Sequence, residues 1–429
     1  MIYRPSRRDV VKTAVSLTAA GALDVRAVFA HDKVPAAIDR TTVSRIDSML
    51  HVATQAGEVP GVVALAATDD GAIYEGSFGR RRLHDGAAMT RDTVLRVASM
   101  VKLITSVAAL QLVEQNRLSL DAPVPEIDPA LGSPKVLEGF DAKGLPLLRP
   151  AARPITLRQL LTHTAGFTYR LWDAKAVQYA ASLKQLTPAQ KTVAAHSPLM
   201  FDPGERWQYG TSIDWVGRIV ESVSGDPLDV YFRKHVFDPL GMKDTSFVIS
   251  PRQQEREASV HRRRSDGSLS AQPMEPRSTK QTFSGGGGIY STGPDYLALI
   301  RALLRGGSLD GTRILRPETV KLMGENQIGK IDVGVLRTTA PALSNDVDLC
   351  PGIGLKWGFG HMINTQPIAH GRGAGSLTWG GLFNTYYWID PNKRVAAVFM
   401  TQVLPFADNR ALHLCRQFER EIYALMKSA

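Results

Sequence analysis

A serine and a lysine stand at a spacing suited to nucleophilic catalysis. Ser99 and Lys102 are three residues apart, directly before a long apolar run. On a helix this spacing puts both side chains on one face, one turn apart. A serine hydroxyl is a weak nucleophile until a base takes its proton, and a lysine in a dry pocket can serve as that base or tune a third group. Taken alone, the pair is better explained as a surface helix start, with Ser99 as the cap and Lys102 solvated.

The sequence holds no competing signature of a hydrolase. Its only S-x-x-K is the one that begins at Ser99, and it contains neither G-x-S-x-G nor H-E-x-x-H. Those motifs mark the nucleophile elbow of α/β-hydrolases and the zinc helix of metalloproteases. Two cysteines, Cys350 and Cys415, make neither a disulfide framework nor a zinc cluster. We therefore expect no metal and no cofactor, while a disulfide between the two cysteines stays open.

Further short blocks follow the S-x-x-K along the chain. In order and number they resemble blocks of the serine β-lactamase and penicillin-binding-protein family. The likeness is strongest to the class C-like branch, which includes the family VIII carboxylesterases and the lovastatin-type acyltransferases. It runs from about residue 46 to about residue 402. The blocks lie at residues 155–167 (with L-L-T-H-T-A-G), 209–212, 239–242, 285–292 and 379–381.

This resemblance implies a role for each catalytic residue. Ser99 would be the acylated nucleophile, Lys102 would hold and tune the general base, and Tyr209 would be that base. An ordinary tyrosine titrates near about 10, so a phenolate at neutral pH needs a cation beside it.

The resemblance also implies which groups bind the substrate. The backbone N–H groups of Ser99 and Leu382 would form the oxyanion hole. Trp379, Gly380 and Gly381 would form a strand edge along the substrate, and the two glycines would let this edge approach it closely.

Two departures from the family pattern move the expected substrate toward esters. Thr211 stands where the tyrosine motif often has asparagine, so a contact to a substrate amide is lost. Trp379-Gly380-Gly381 replaces the K-T-G triad, so the lysine that would meet a substrate carboxylate is missing. We therefore predict a serine hydrolase (EC 3.1.1) that acts on carboxylic esters through an acyl-enzyme on Ser99. Its binding partner would be a small-molecule ester or amide substrate.

Three alternatives remain open at this point. The first is a β-lactamase or D-alanyl-D-alanine carboxypeptidase, and the second is an acyltransferase to an alcohol acceptor. The third is a non-catalytic binding or sensor protein, which would be acylated without turnover. The acyl group, the alcohol and the oligomeric state are not determined by the sequence.

Several other conspicuous side chains have simpler explanations. His163 more simply orders a loop, and His370 is as well explained as a loop residue near glycines as by a place in the site. Trp207 and Trp215 are interpreted as core or cleft-lining aromatic residues.

Strand patterns near both ends of the chain, with helical patterns between them, predict an α+β fold. With the resemblance, this is a β-lactamase-like fold, an antiparallel sheet flanked by helices with a mainly helical second region. We assign residues 35–105 and 285–429 to the α/β domain and residues 106–284 to the mainly helical region. Predicted strands are 62–68, 72–78, 385–389 and 395–402; predicted helices begin at 42 and span 157–161, 213–223, 228–237 and 411–426; predicted long loops are 131–153 and 327–354.

The composition and the N-terminal residues indicate which partners and which cellular location to expect. The net charge of +10 comes from scattered Lys and Arg, so we expect no nucleic-acid partner. Arg7-Arg8 followed by the apolar residues 13–23 resembles a bacterial twin-arginine export signal, with cleavage after Ala30. We therefore predict a signal peptide over residues 1–30 and a periplasmic or secreted protein. No later segment is apolar enough to span a membrane.

Overall fold

The computed structural model describes residues 39–124, 128–185, 198–273 and 283–428. The predicted signal peptide, residues 1–30, lies outside these ranges. Within them, no helix has the length and apolar character that crossing a membrane requires.

Helices and short strands alternate along the described chain. The helices are α1 (Arg40–Gln55), α2 (Val101–Glu114), α3 (Leu157–Leu161), α4 (Ala174–Ser182), α5 (Ser212–Ser224), α6 (Leu228–Phe232), α7 (Pro251–Glu255), α8 (Gly293–Leu304), α9 (Pro317–Met323) and α10 (Asn409–Ser428). The strands are β1 (Gly61–Thr68), β2 (Ala72–Gly79), β3 (Leu95–Arg96), β4 (Lys135–Phe140), β5 (Pro146–Pro150), β6 (His261–Arg263), β7 (Leu269–Ala271), β8 (Tyr290–Ser291), β9 (Ser308–Leu309), β10 (Thr312–Arg313), β11 (Leu355–Trp357), β12 (Met362–Asn364), β13 (Leu377–Gly381), β14 (Thr385–Asp390), β15 (Val395–Met400) and β16 (Val403–Leu404).

A seven-stranded antiparallel sheet unites the two ends of the chain. Its order is β11-β12-β13-β14-β15-β1-β2, so β1 pairs with β15, for example Val63 opposite Met400. Strands β14 and β15 are buried along their whole length because helices cover both faces of the sheet. On one face Val63 lies against Gly293, the first residue of α8, and on the other Phe399 packs against Phe418 of α10. The predicted α+β, β-lactamase-like fold is confirmed.

Most predicted elements form, with differences at their ends. The strand expected to reach residue 402 ends at Met400, because Gln402 turns aside and its amide pairs with the backbone N–H and C=O of Arg96. The helix expected over 228–237 is α6 followed by a π-helical turn, Arg233–Phe237. The prediction of a loop over residues 131–153 was wrong, because this stretch contains the hairpin of β4 and β5.

Helix α2 lies in the core of the protein. All but the last two residues of this helix are buried, and its first turn carries Lys102. The predicted boundary between residues 105 and 106 falls inside α2, so the two regions are continuous through it. Besides helices, residues 106–284 contain the hairpins β4–β5 and β6–β7. Cys350 and Cys415 are both buried and free.

Candidate active site

Ser99 lies where the chain turns from β3 into α2. It sits in a short 3-10 turn, Ala98–Met100, and lines a cavity in the protein. Ala98 has φ of 44°, a left-handed conformation that is costly for a residue with a side chain. Strained turns of this kind cluster at functional sites, where surrounding packing holds them in place.

Lys102 is buried directly behind Ser99, and three oxygen atoms surround its amine. Nζ donates to Ser99 Oγ at 3.2 Å, to Tyr169 Oη at 3.2 Å and to the Gly286 carbonyl oxygen at 2.7 Å. Burial by itself would lower the pKa of Lys102, but Tyr169, Tyr209 and the nearby Asp214 outweigh it and raise the pKa above its ordinary value. The raised pKa favours the ammonium form of Lys102, which is suited to stabilising a neighbouring anion and poorly suited to accepting a proton itself.

Tyr209 lines the same cavity and lies beside Lys102. Its ring lies 5.0 Å from Lys102 Nζ, and its Oη accepts a hydrogen bond from the indole N–H of Trp379 at 3.1 Å. An indole N–H can only donate, so Tyr209 Oη is the acceptor of this bond. Trp172 and His163 pack around the ring, with centroids at 5.5 Å and 4.7 Å.

A second tyrosine, Tyr169, also touches Lys102, and sequence reasoning missed it. Its Oη accepts from Lys102 and donates to Asp214 Oδ2 at 3.4 Å. Burial raises the pKa of Tyr169, although Lys102 lowers it in part. We therefore interpret Tyr169 as a neutral hydroxyl. Its only sequence signal was its place two residues after the block at 155–167.

Strand β13 lies against the Ser99 turn along one wall of the cavity. A Cβ at Gly381 would overlap the carbonyl oxygen of Val97, and one at Gly380 would lie 2.7 Å from Tyr386 Cδ1. Glycine at position 381 therefore allows the close approach of β13 to the Ser99 turn, whereas glycine at position 380 leaves room for the Tyr386 ring of the neighbouring strand β14. Trp379, Gly380 and Leu382 line the cavity together with Ser99. The pairing of the Ser99 and Leu382 amides as an oxyanion hole stays a prediction.

The cavity has a volume of about 670 Å³, within the range of small-molecule sites. Most side chains around it are apolar or aromatic. Among the described residues Arg96 is the one basic side chain on the wall, and it forms an ion pair with Glu257 at 3.5 Å. Apolar and aromatic lining residues are Leu171, Trp172, Phe247, Val248, Ile249, Phe283, Ile289, Tyr290, Phe383 and Phe406.

Comparison with known proteins identifies the family. The family model described as Beta-lactamase matches residues 46–418. The chain belongs to the β-lactamase family. The relationship predicted from the short sequence blocks is confirmed.

Similar proteins place this β-lactamase-family chain in the esterase and acyltransferase branch. Lovastatin esterase of Penicillium rubens is 32% identical, covering 88% of this chain and 98% of the relative. Monacolin J acid methylbutanoyltransferase of Aspergillus terreus is 30% identical, covering 91% and 98%. The unliganded structure of simvastatin synthase from Aspergillus terreus superposes with a TM-score of 0.79 at 30% identity, covering 92% and 100%. A hydrolase with promiscuous acyltransferase activity, EstCE1, gives a TM-score of 0.69 at 25% identity, covering 89% and 99%.

The remaining candidate residues of this β-lactamase-family chain lie outside the cavity wall. His163 is buried behind Tyr209, and burial together with the Lys102 charge holds its pKa well below its ordinary value. His370 is exposed on a loop and does not line the cavity. Trp207 packs in the same aromatic cluster as Tyr209, and Trp215 stacks on Phe167. Within the described ranges, no group of three or more His, Cys, Asp or Glu side chains is arranged to hold a metal.

Proposed function

We propose that this chain cleaves small carboxylic esters by a two-step acyl transfer through Ser99. The observation that carries the proposal is the contact of Lys102 Nζ with Ser99 Oγ at 3.2 Å, on the floor of a cavity that Tyr209 also lines. An activated serine needs a hydroxyl, a cation beside it and a group that can accept its proton. Here these parts are Ser99, Lys102 and Tyr209.

The proposed first step forms the acyl-enzyme. The Tyr209 phenolate takes the Ser99 proton while Oγ attacks the ester carbonyl carbon, and the Ser99 and Leu382 amides hold the oxyanion. The bond from carbon to the alcohol oxygen then breaks, and Tyr209 returns the proton to the leaving alcohol. In the second step water gives its proton to Tyr209 and attacks the acyl carbon, and Ser99 leaves with that proton.

The cavity wall supports esters over β-lactams and peptides. A tryptophan stands at position 379 where the K-T-G triad would supply a lysine, and most of the wall is apolar. A substrate carboxylate would therefore meet no lysine from this strand. An uncharged ester with apolar acyl and alcohol groups fits the wall better.

Transfer of the acyl group to an alcohol is the second candidate. A cavity of about 670 Å³ leaves room for an acyl chain and a second organic molecule together. Relatives of 29% and 30% identity carry the name methylbutanoyltransferase. The two reactions share the first step and differ only in the acceptor that enters the second.

Turnover of graded esters tests the proposal. We expect hydrolysis of p-nitrophenyl acyl esters to exceed that of nitrocefin and of a D-alanyl-D-alanine peptide at equal enzyme concentration. Adding an alcohol and separating ester from acid among the products measures the partition between the two acceptors. Faster turnover of nitrocefin or of the peptide than of the p-nitrophenyl esters would overturn the proposal. A long-lived acyl-enzyme without turnover would overturn it in favour of a sensor protein.

A further inference from the structure

Asp214 joins the separate segments that surround the amine of Lys102. It lies in the first turn of α5, five residues after Tyr209, where the helix dipole favours an acidic side chain. Its Oδ2 accepts from Tyr169 Oη at 3.4 Å, and its Oδ1 accepts from Ser284 Oγ. One carboxylate thus contacts both the tyrosine beside Lys102 and the glycine-rich segment that forms the cavity wall.

These contacts close into a ring. Ser284 Oγ accepts from the backbone N–H of Gly286 at 3.0 Å, and the Gly286 carbonyl accepts from Lys102 Nζ at 2.7 Å. Lys102 also donates to Tyr169, whose hydroxyl donates back to Asp214. A Cβ at position 286 would lie 2.5 Å from Asp214 Oδ2, so the glycine permits the ring to form. The described residues that line the cavity do not include Asp214.

We infer that Asp214 is a positioning residue that holds Lys102 as an ammonium aimed at Ser99. The inference rests on the proposed function, because it assigns Asp214 to the activation of the same serine. Burial of an amine favours its neutral form, and a nearby carboxylate reverses this preference. Without Asp214, Lys102 would lose its proton more readily and would stabilise the Tyr209 phenolate less.

The charged and titratable groups around Lys102 come from four elements. Tyr169 and Tyr209 face it from loops, Asp214 faces it from α5, and His163 lies behind Tyr209. His163 carries no charge near neutral pH, since burial and Lys102 lower its pKa. Within the part of the chain that the structure describes, Asp214 is therefore the acidic side chain among these groups.

The substitution Asp214→Asn removes the charge and keeps the shape. We expect the second-order rate of Ser99 labelling by a fluorophosphonate, and kcat/KM for p-nitrophenyl butyrate, to fall about 10- to 100-fold. KM should change little, because Asp214 does not line the cavity. The alkaline limb of both pH profiles should move to lower pH, since the Lys102 ammonium is lost sooner.

Two further variants separate charge from geometry. Ser284→Ala breaks the ring but keeps the carboxylate of Asp214. We therefore expect the labelling rate and kcat/KM to fall about threefold, with no shift in the alkaline limb of their pH profiles. Asp226→Asn removes a carboxylate that lies just past the C-terminal end of α5, pairs with Lys234 and makes no contact with the ring, so this variant should match the wild type. Circular dichroism checks that each variant is folded.

Each result decides the inference. A folded Asp214→Asn variant that labels and turns over like Asp226→Asn overturns it, and so does a loss of rate with an unmoved alkaline limb. In one outcome the fluorophosphonate labels the wild type, the alkaline limb of labelling is shifted in Asp214→Asn, and the wild type hydrolyses no ester. That outcome supports the role of Asp214 and overturns the proposed function. A wild type that is neither labelled nor active overturns both.

Discussion

Two tyrosines contact or overlie Lys102, and removing each hydroxyl in turn separates their roles. Tyr209→Phe removes the proposed base and should lower kcat/KM by about 10²- to 10⁴-fold, the usual contribution of a positioned base. It also leaves the buried indole N–H of Trp379 without its acceptor. The free energy of unfolding should therefore fall by about 1–3 kcal/mol.

Tyr169→Phe makes a smaller change to the chemistry. It removes a hydroxyl that accepts from Lys102 and donates to Asp214, while Lys102 keeps its bonds to Ser99 and Gly286. We expect a loss of about 10- to 100-fold, because the ammonium is less well held but the base is still present.

The assay compares kcat/KM for p-nitrophenyl butyrate and the urea midpoint of the two variants with the wild type. We expect Tyr209→Phe to be the slower enzyme by at least about tenfold. If Tyr169→Phe loses as much activity as Tyr209→Phe or more, the assignment of Tyr209 as the base is refuted. The folded fraction at the assay temperature serves as the control for both.

Three more outcomes follow from burial, close approach and the N-terminal residues. Burial lowers the pKa of His361 to about 3, so the unfolded chain binds a proton below about pH 6.5 that the folded protein excludes, and stability falls as pH falls in this window. Between about pH 6.5 and about pH 5, the free energy of unfolding of His361→Leu, measured with urea, should therefore fall by about 2 kcal/mol less than that of the wild type. Gly381→Ala should lose at least about tenfold in fluorophosphonate labelling, because its Cβ overlaps a carbonyl oxygen, while Gly139→Ala, whose Cβ meets nothing within 4 Å, should label normally. Lysine at both Arg7 and Arg8 should abolish export of the precursor in a bacterial host with twin-arginine transport, and unchanged export would contradict the predicted signal.

The two hairpins near the chain ends could be predicted because local signals and tertiary burial agree there. Residues 385–389 and 395–400 are almost wholly apolar or aromatic and stand on either side of a turn, and helices bury them on both faces of the sheet. The stretch 131–153 was harder, since its proline and glycine content favours a loop. Its strand β4 forms with help from Leu199, which lies far along the chain and bridges Val136. Such a partner leaves no local pattern.

The residues of the candidate active site could also be predicted only in part. Ser99, Lys102 and Tyr209 lie in short blocks whose order resembles the family, and the structure brings them together around one cavity. Tyr169 and Asp214 stand at no diagnostic spacing from them. Tyr169 contacts both Lys102 and Asp214, and these contacts arise only when a loop meets the helices α2 and α5, so the sequence alone did not indicate them.

The central claim is that Ser99 carries the acyl group, and intact-protein mass spectrometry tests it most directly. After brief exposure to a fluorophosphonate, or to an ester quenched in acid during turnover, we expect a single adduct that peptide mapping locates at Ser99. Ser99→Ala should give no adduct and should lose ester hydrolysis while remaining folded. An adduct on another residue, or full esterase activity in Ser99→Ala, would contradict the account.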